Sequence, residues 1–251
     1  MTVMDTHTQQ YVVPCGEGDS SMENKTVLVT GATSGIGLAL INRLSKAGYT
    51  PILTARNADK VKALAAEKGV VGYTLDVADA AAIKRVCLQV EQDHGPLWGL
   101  VNNAGIWLEG DFDAYAPDDI KAVMDTNTMG TMNMTHAVLP GMLSRGRGSV
   151  LNVVSTGALY TRKSISVYAA SKWAIRGFTG CLEAECAPKG VRVMGFYPGK
   201  IASNMYQTAG VERDLEVAMT PTQAADMIVT MLSDESVVWS QISGRALKDY
   251  V

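Results

Sequence analysis

A tyrosine and a lysine four residues apart, Tyr168 and Lys172, are the residues whose types and spacing most directly suggest chemistry. On a helix, such residues lie on one face, one turn from each other. A phenol has a reference pKa of about 10, and a nearby ammonium favours its phenolate form. With its pKa lowered by Lys172, Tyr168 could donate or take a proton near neutral pH. The alternative is a solvated pair without function, because such pairs occur on many helices.

A serine hydroxyl could complete this chemistry. Ser155 precedes Tyr168 by thirteen residues, which is far enough to place it on a different element. From there it could hold a reacting oxygen beside the phenol and stabilise developing charge. These three side chains can act together only if the fold brings their elements to one place.

The composition limits the kind of protein that can supply this framework. The chain has 251 residues, of which 47% are hydrophobic, enough for one large core. A net charge of −3 gives no reason to expect a nucleic acid or a membrane surface as partner. The four cysteines show neither metal-ligand spacing nor a disulfide framework, so we expect no metal and a reducing, cytoplasmic setting.

The N-terminal segment differs from the rest of the chain. Residues 1–21 carry three acidic residues and no apolar core of a signal peptide, so we predict a flexible tail there. Met22 stands just before the first strand pattern, and translation could start at that residue. No apolar run reaches the length of a transmembrane helix.

Strand and helix patterns alternate along the remainder. Strands are predicted at 26–29, 51–55, 70–75, 97–101, 149–154, 191–196 and 244–248, and helices at 38–48, 58–68, 79–93, 118–144, 166–187 and 222–232. The helix at 118–144 should be irregular near Gly130. This alternation predicts an α/β fold: a doubly wound, Rossmann-type parallel sheet of about seven strands with helices on both faces, in a single domain over residues 22–251.

The residues that follow the strands support a ligand site. In an open parallel sheet, ligands bind beyond the carboxyl ends of the strands. The first six predicted strands are followed by small, polar or turn-forming residues, namely 30–37, Ala55-Arg56, Asp76-Val77, 102–105, Ser155 and Pro198-Gly199. Each could be ordinary loop chemistry alone, but six at one edge predict a binding site.

The segment Thr30-Gly-Ala-Thr-Ser-Gly-Ile-Gly37 has the features of a phosphate-binding turn. Gly31 permits a tight exit from the strand, and Gly35 lets the backbone approach a pyrophosphate at a helix N-terminus. Gly37 lets that helix pack closely on the sheet. Thr33, Ser34 and Ile36 of the same turn are predicted cofactor contacts.

Several motifs together resemble the short-chain dehydrogenase/reductase family over nearly all of residues 25–251. They are the glycine loop (30–37), Asn-Asn-Ala-Gly at 102–105, Asn127, Ser155, Tyr168-x-x-x-Lys172 and the Pro198-Gly199 pair. The resemblance implies a nicotinamide cofactor, with Tyr168 as catalytic acid/base and Lys172 contacting the nicotinamide ribose. It implies that Asn127 holds a water linking Lys172 to solvent; the alternative is a buried asparagine bonded to backbone.

The cofactor contacts follow from the same resemblance. Asp76 would accept from the adenine amino group and Val77 would flank the ring. The remaining contacts would come from Asn103, Ala104, Gly105, Tyr168, Lys172, Pro198, Gly199, Ile201 and Ser203. Alanine at position 55 removes the acidic residue that would repel a 2′-phosphate, and Arg56 can bind that phosphate, so we predict NADP(H).

The substrate is expected at the nicotinamide end of the site. We predict a pocket formed by Trp107, Ser155, Leu159, Tyr160, Met205 and Tyr206, closed by a mobile lid over residues 203–219.

The predicted activity is NADPH-dependent, reversible reduction of a ketone or aldehyde on a small-molecule substrate. One alternative is a 3-oxoacyl-carrier-protein reductase, with Arg145, Arg147 and Lys189 as a basic patch for the carrier. Another is a binding protein that senses NADP(H) without catalysis. A homodimer or homotetramer is expected from the resemblance, with the helices that begin near Asp118 and Ser166 at the two-fold axis.

Overall fold

The computed structural model describes residues 25–250, so the tail predicted for residues 1–21 and the start proposed at Met22 lie outside the described residues. Within residues 25–250, none of the helices has the length and apolar character needed to cross a bilayer.

Seven parallel strands form one sheet in the order β3-β2-β1-β4-β5-β6-β7. They are β1 (Thr26–Thr30), β2 (Thr50–Ala55), β3 (Val71–Thr74), β4 (Leu97–Asn102), β5 (Gly148–Val153), β6 (Val191–Pro198) and β7 (Gln241–Gly244). The order reverses between β1 and β4, so a crevice opens beyond their carboxyl ends. This confirms the predicted doubly wound α/β sheet in a single domain.

The connecting helices are α1 (Gly35–Lys46), α2 (Ala58–Lys68), α3 (Ala80–His94), α4 (Pro117–Val123), α5 (Gly130–Arg145), α6 (Ser166–Cys186), α7 (Met205–Thr208) and α8 (Pro221–Ser233). They lie on both faces of the sheet because the central strands are apolar on both faces. In β1, Val27 and Val29 pack in one core with α1 and α8. The intervening Leu28 packs in a second core with α3 and α5.

The long helix predicted over residues 118–144 is interrupted. A π-helical turn, Met124–Met129, separates α4 from α5, so the predicted irregularity lies immediately before Gly130. A side chain at Gly130 would place its Cβ 2.9 Å from the carbonyl oxygen of Val77. The small residue therefore allows this helix to approach the loop after β3, and the extra residue of the turn shifts the register.

The last strand was predicted at 244–248, and this was wrong. Gln241–Gly244 pair with Gly195–Pro198, whereas Leu247 is exposed and begins a 3₁₀ turn. An edge strand has a neighbour on one side and buries little, so its sequence pattern is weak.

Candidate active site

A cavity of about 550 Å³ lies beyond the carboxyl ends of the strands, where the crevice was expected. Most of the predicted site residues line it: Gly31, Thr33, Ser34, Gly35, Ile36, Arg56, Val77, Asn103, Ala104, Gly105, Trp107, Ser155, Tyr168, Lys172, Pro198, Gly199, Ile201, Ser203, Met205 and Tyr206. One elongated site therefore contains both the predicted cofactor contacts and the predicted catalytic side chains.

The glycine loop forms one end of the cavity. Gly31 has a φ of +63°, and a Cβ there would lie 2.8 Å from the Cα of Ala104. Ser34 precedes α1 without a side-chain cap, and the first turn of α1 carries no acidic residue. Free N–H groups and the helix dipole can therefore bind an anion at this point.

Gly37 does not line the cavity but holds the loop against the sheet. A Cβ at Gly37 would lie 2.6 Å from the carbonyl oxygen of Gly31 and from the side-chain nitrogen of Asn103. This position supports the close packing predicted from sequence.

The loop after β4 is fastened to the glycine loop by hydrogen bonds. The backbone N–H groups of Asn103 and Ala104 both donate to the hydroxyl of Thr30, each over 3.0 Å. The side chain of Asn103 donates to the carbonyls of Thr30 at 2.8 Å and Gly31 at 3.1 Å. Asn103 thus fixes two cofactor-facing loops relative to each other.

The far end of the cavity is basic. Arg56 lines it together with Asn57 and Lys60, two residues that sequence reasoning missed. Lys60 lies in the first turn of α2, four residues after Arg56, and this spacing could have indicated it. Asp76 does not line the cavity, and its side chain accepts from the backbone N–H of Ala78 at 2.9 Å.

Tyr168 and Lys172 are buried side by side on α6. The Lys172 Nζ donates to the carbonyl oxygen of Val153 at 3.0 Å and lies 5.9 Å from the centroid of the Tyr168 ring. Burial lowers the pKa of Lys172 to about 8. The lysine is therefore only partly charged at mildly alkaline pH.

The pKa of Tyr168 is raised to about 12, mainly because burial disfavours the phenolate. A hydrogen bond with Ser155 lowers that pKa, Tyr206 raises it and Arg162 lowers it. The prediction that Lys172 lowers the Tyr168 pKa in the free protein was therefore wrong. The reason is that burial of the phenol raises its pKa, while the Lys172 ammonium is directed at the backbone carbonyl of Val153. Tyr168 stays protonated at neutral pH and can act as an acid.

Ser155 stands at the end of β5, within the cavity. Its hydroxyl accepts from the backbone N–H of Gly157 at 2.9 Å, and it lies close enough to Tyr168 to act against the rise in the pKa of that phenol. The two hydroxyls therefore converge on one point, where a substrate oxygen could bind between them.

Asn127 lies in the π-helical turn and is buried. Its side-chain oxygen accepts from the N–H of Ile106 at 2.8 Å, and its nitrogen donates to the Ile106 carbonyl at 3.0 Å and the Ser171 hydroxyl at 3.1 Å. The Thr131 hydroxyl donates to the Asn127 carbonyl at 2.9 Å. The Asn127 side chain thus secures the loop after β4, and its predicted role in holding a water beside Lys172 remains a prediction.

The substrate end is aromatic. The Trp107 ring centroid lies 4.3 Å from that of Tyr168 and 4.9 Å from that of Tyr206. Two residues predicted for this pocket do not line it. Leu159 packs against the buried cluster of Val154, Ala158, Ile175 and Tyr197, while Tyr160 is exposed and stacks under Arg245. The turn after Ser155 directs both side chains away from the cavity.

The parallel sheet, the glycine loop opening α1 and the cavity at the switch point define a dinucleotide-binding α/β protein. The family described as short chain dehydrogenase matches residues 25–214. The chain therefore belongs to the short-chain dehydrogenase/reductase family, which confirms the resemblance predicted from its motifs.

Similar proteins are enzymes of this family. Acetoacetyl-CoA reductase of Paracoccus denitrificans is 35% identical over 222 residues, which are 84% of this chain and 92% of that protein. The NADP-dependent 3-hydroxy acid dehydrogenase YdfG of Salmonella typhi is 33% identical over 217 residues, which are 85% of this chain and 87% of that protein. The closed form of serine dehydrogenase complexed with NADP⁺ is 28% identical with a TM-score of 0.83, covering 87% of this chain and 94% of that one.

Proposed function

We propose that this protein is an NADPH-dependent oxidoreductase that reversibly reduces a ketone or aldehyde carbonyl to an alcohol. The observation that carries the proposal is that one cavity joins a phosphate-binding loop to Ser155 and to the buried side chains of Tyr168 and Lys172. NADPH, when bound, supplies the hydride that adds to the carbonyl carbon. The chain's own residues then bind the carbonyl oxygen and deliver the proton.

The proton step belongs to Tyr168. Its phenol is protonated at neutral pH, because burial raises its pKa to about 12. Ser155 holds the carbonyl oxygen by a hydrogen bond, and Tyr168 donates its proton to that oxygen as the carbon is reduced. Lys172, with a pKa lowered to about 8, can stabilise the phenolate that remains and help return a proton to it.

NADP(H) is supported over NAD(H) by the end of β2. Ala55 offers no carboxylate to a ribose hydroxyl, and both Arg56 and Lys60 line the cavity. Two cations suit the doubly charged 2′-phosphate. NADP⁺ is also the cofactor in the similar serine dehydrogenase structure.

We also propose that residues 203–219 form a lid. A bridge joins Met219, the last residue of this segment, to Ile201, two residues before its first. Arg213, within the segment, is hydrogen-bonded to both carboxylate oxygens of Glu109 on the loop after β4. Met205 and Tyr206 of the same segment line the cavity.

Acyl thioesters are a second candidate substrate class, favoured by the likeness to acetoacetyl-CoA reductase. The basic patch predicted for a carrier protein is less favourable. The Arg145 guanidinium donates to the Leu97 carbonyl at 2.8 Å, and Arg147 lies 4.0 Å from Glu235. Both arginine side chains therefore already have partners within this protein.

The cytoplasmic location and the homodimer or homotetramer remain predictions. Among the described residues, Cys87, Cys181 and Cys186 are free thiols. An assembly is supported by a row of exposed residues on α6, which includes Trp173 and Gly177.

The function is tested by following NADPH oxidation against a carbonyl panel that includes ketones, aldehydes and 3-oxoacyl thioesters, with NADH as control. We expect Tyr168→Phe to bind NADPH but to turn over at least about 100-fold more slowly. This result would support proton donation by Tyr168. Activity of Tyr168→Phe close to that of the parent protein would contradict it. Tight NADPH binding with no turnover on the whole panel would favour the cofactor-sensing alternative.

A further inference from the structure

Arg162 places a positive charge beside the substrate end of the cavity. The side chain is exposed, and its guanidinium carbon lies 5.6 Å from the centroid of the Trp107 ring. Trp107 lines the cavity and packs on the ring of Tyr168. Arg162 does not itself line the cavity, but its guanidinium lies next to Trp107, a residue of the cavity lining.

This guanidinium has no acidic partner among the side chains of residues 25–248. The carboxylate that contacts Trp107 belongs to Glu109, which accepts from the Trp107 Nε1 at 2.9 Å and is neutralised by Arg213. No ion pair joins Arg162 to any carboxylate in the described chain. Its charge nevertheless acts on the site, since it offsets part of the rise in the pKa of Tyr168.

The substrate end of the cavity is suited to binding a small molecule with a single negative charge. Trp107, Met205 and Tyr206 offer an apolar and aromatic surface, and Arg162 adds a single available guanidinium. Arginine keeps its charge at all ordinary pH values and binds a carboxylate through two parallel N–H groups. A phosphate would call for more positive charge than one guanidinium.

We propose that Arg162 binds a carboxylate on the substrate, so that the protein acts on small oxo acids and their hydroxy-acid counterparts. This inference rests on the proposed function and names the substrate class of the same site. The carboxylate and Arg162 are unchanged in the reaction. The carbonyl carbon gains the hydride, the carbonyl oxygen gains the proton of Tyr168, and NADPH becomes NADP⁺.

The test compares acids with uncharged amides of the same shape. Reduction of acetoacetate and 4-oxopentanoate is measured against acetoacetamide and 4-oxopentanamide, each with NADPH. We expect the acids to be preferred in kcat/KM. In Arg162→Gln, the acid-to-amide ratio should fall about tenfold or more, because a charge-assisted hydrogen-bond pair is lost. The ratio cancels any effect on Tyr168 that both substrates share.

Two further variants serve as controls. Arg162→Lys keeps the charge and should retain part of the preference, while Lys163→Gln removes the neighbouring exposed cation and should leave the ratio unchanged. NADPH binding, followed by protein fluorescence, shows that each variant is folded.

The inference is overturned if the parent protein prefers neither acid, or if Arg162→Gln slows acids and amides equally. In both cases, reduction of the amides would leave the proposed function intact. Absence of turnover on these four compounds and on the wider carbonyl panel would overturn the proposed function, and this inference with it.

Discussion

At the scale of single residues, burial decides the protonation states in the site. Tyr168 and Lys172 lie side by side in a desolvated region, and each is driven toward its neutral form. The site therefore holds a neutral phenol and a lysine of lowered basicity. The protonation of both can change when a cofactor and a substrate add charge.

The depressed pKa of Lys172 has a consequence for stability. Folding lowers that pKa from 10.5 to about 8, so the native state is destabilised below about pH 8 and recovers as the pH rises toward 10.5. At about 1.4 kcal/mol per pKa unit, the penalty is about 3 kcal/mol. Lys172→Met should therefore be the more stable protein at pH 7, and this advantage should shrink by about 3 kcal/mol near pH 10.

Urea unfolding of the cofactor-free protein at pH 7 and pH 10 measures this difference. Lys62→Met, on the exposed face of α2, is the control and should show no such pH dependence. If the difference in unfolding free energy between the parent and Lys172→Met stayed constant with pH, folding would not lower the pKa of Lys172.

Cofactor selection also belongs to individual residues. We expect Arg56→Ala to raise the KM for NADPH about tenfold, because a charge-assisted contact with the 2′-phosphate is lost. The KM for NADH should change little. Steady-state kinetics with both cofactors measures this, and Lys62→Ala is the control for charge. Equal effects on NADPH and NADH would exclude the phosphate contact.

At the scale of elements, two long-range contacts position the segments around the site. One is the pair between Glu109 and Arg213, which joins the proposed lid to the loop after β4. The other is Arg192 of β6, which is buried and reaches the end of α8. Neither contact follows from local sequence pattern, because the partners are far apart in the chain.

The lid contact should affect substrate binding more than cofactor binding. Arg213→Ala is expected to raise the KM for the carbonyl substrate about fivefold, since a partly buried ion pair that favours the closed segment is lost. NADPH affinity should change less than twofold. Glu212→Ala, an exposed neighbour, is the control.

A double-mutant cycle with Glu109→Gln then tests the pair itself. If Arg213→Ala has the same effect in both backgrounds, the two residues do not act together and the closing contact is disproved.

Arg192 stabilises the junction of α8 with the sheet. Its guanidinium donates to the Ser149 hydroxyl at 2.7 Å and to the carbonyls of Leu232 at 2.9 Å and Met231 at 3.2 Å. Arg192→Met would leave these buried acceptors without a partner, so we expect a loss of about 3 kcal/mol in the free energy of unfolding.

Denaturant unfolding measures this loss. Arg85→Met, on the exposed face of α3, should change stability by less than about 0.5 kcal/mol. An effect of Arg192→Met as small as that of the control would mean that its hydrogen bonds contribute little.

At the scale of the whole molecule, α6 connects the site to a surface suited to assembly. Ser166, Ala170, Trp173, Gly177 and Gly180 are exposed on one face of this helix. A Cβ added at Gly177 would meet no atom within 4 Å. A second copy could therefore approach closely along this row, although the same helix carries Tyr168 on its buried side.

Gly177→Arg should disrupt the proposed homodimer or homotetramer without unfolding the subunit, because arginine favours a helix more than glycine does. Sedimentation velocity should show a shift to smaller species. Ala66→Arg, exposed on α2 and equal in added charge, should leave the assembly unchanged. A parent protein that sediments as a monomer would contradict the predicted assembly.

Local sequence patterns were sufficient to predict the sheet and the edge at which a ligand binds, and the resemblance to the short-chain dehydrogenase/reductase family supplied most of the cavity lining. Strand and helix periodicity is local, and the carboxyl ends of parallel strands meet at one edge whatever the details of packing. For this reason Gly31, Asn103 and Ser155, which follow three of the strands, could be predicted to lie together. The placement of Tyr168 beside them rested on the family resemblance, because Tyr168 lies on a helix.

The features that depend on distant contacts and on burial followed only from the tertiary fold. The fold places Lys60 in the cavity and Leu159 and Tyr160 outside it. It gives Asn127 its backbone partners in the π-helical turn. It raises the pKa of Tyr168 rather than lowering it, because desolvation reflects every atom packed around the phenol and not its spacing from Lys172.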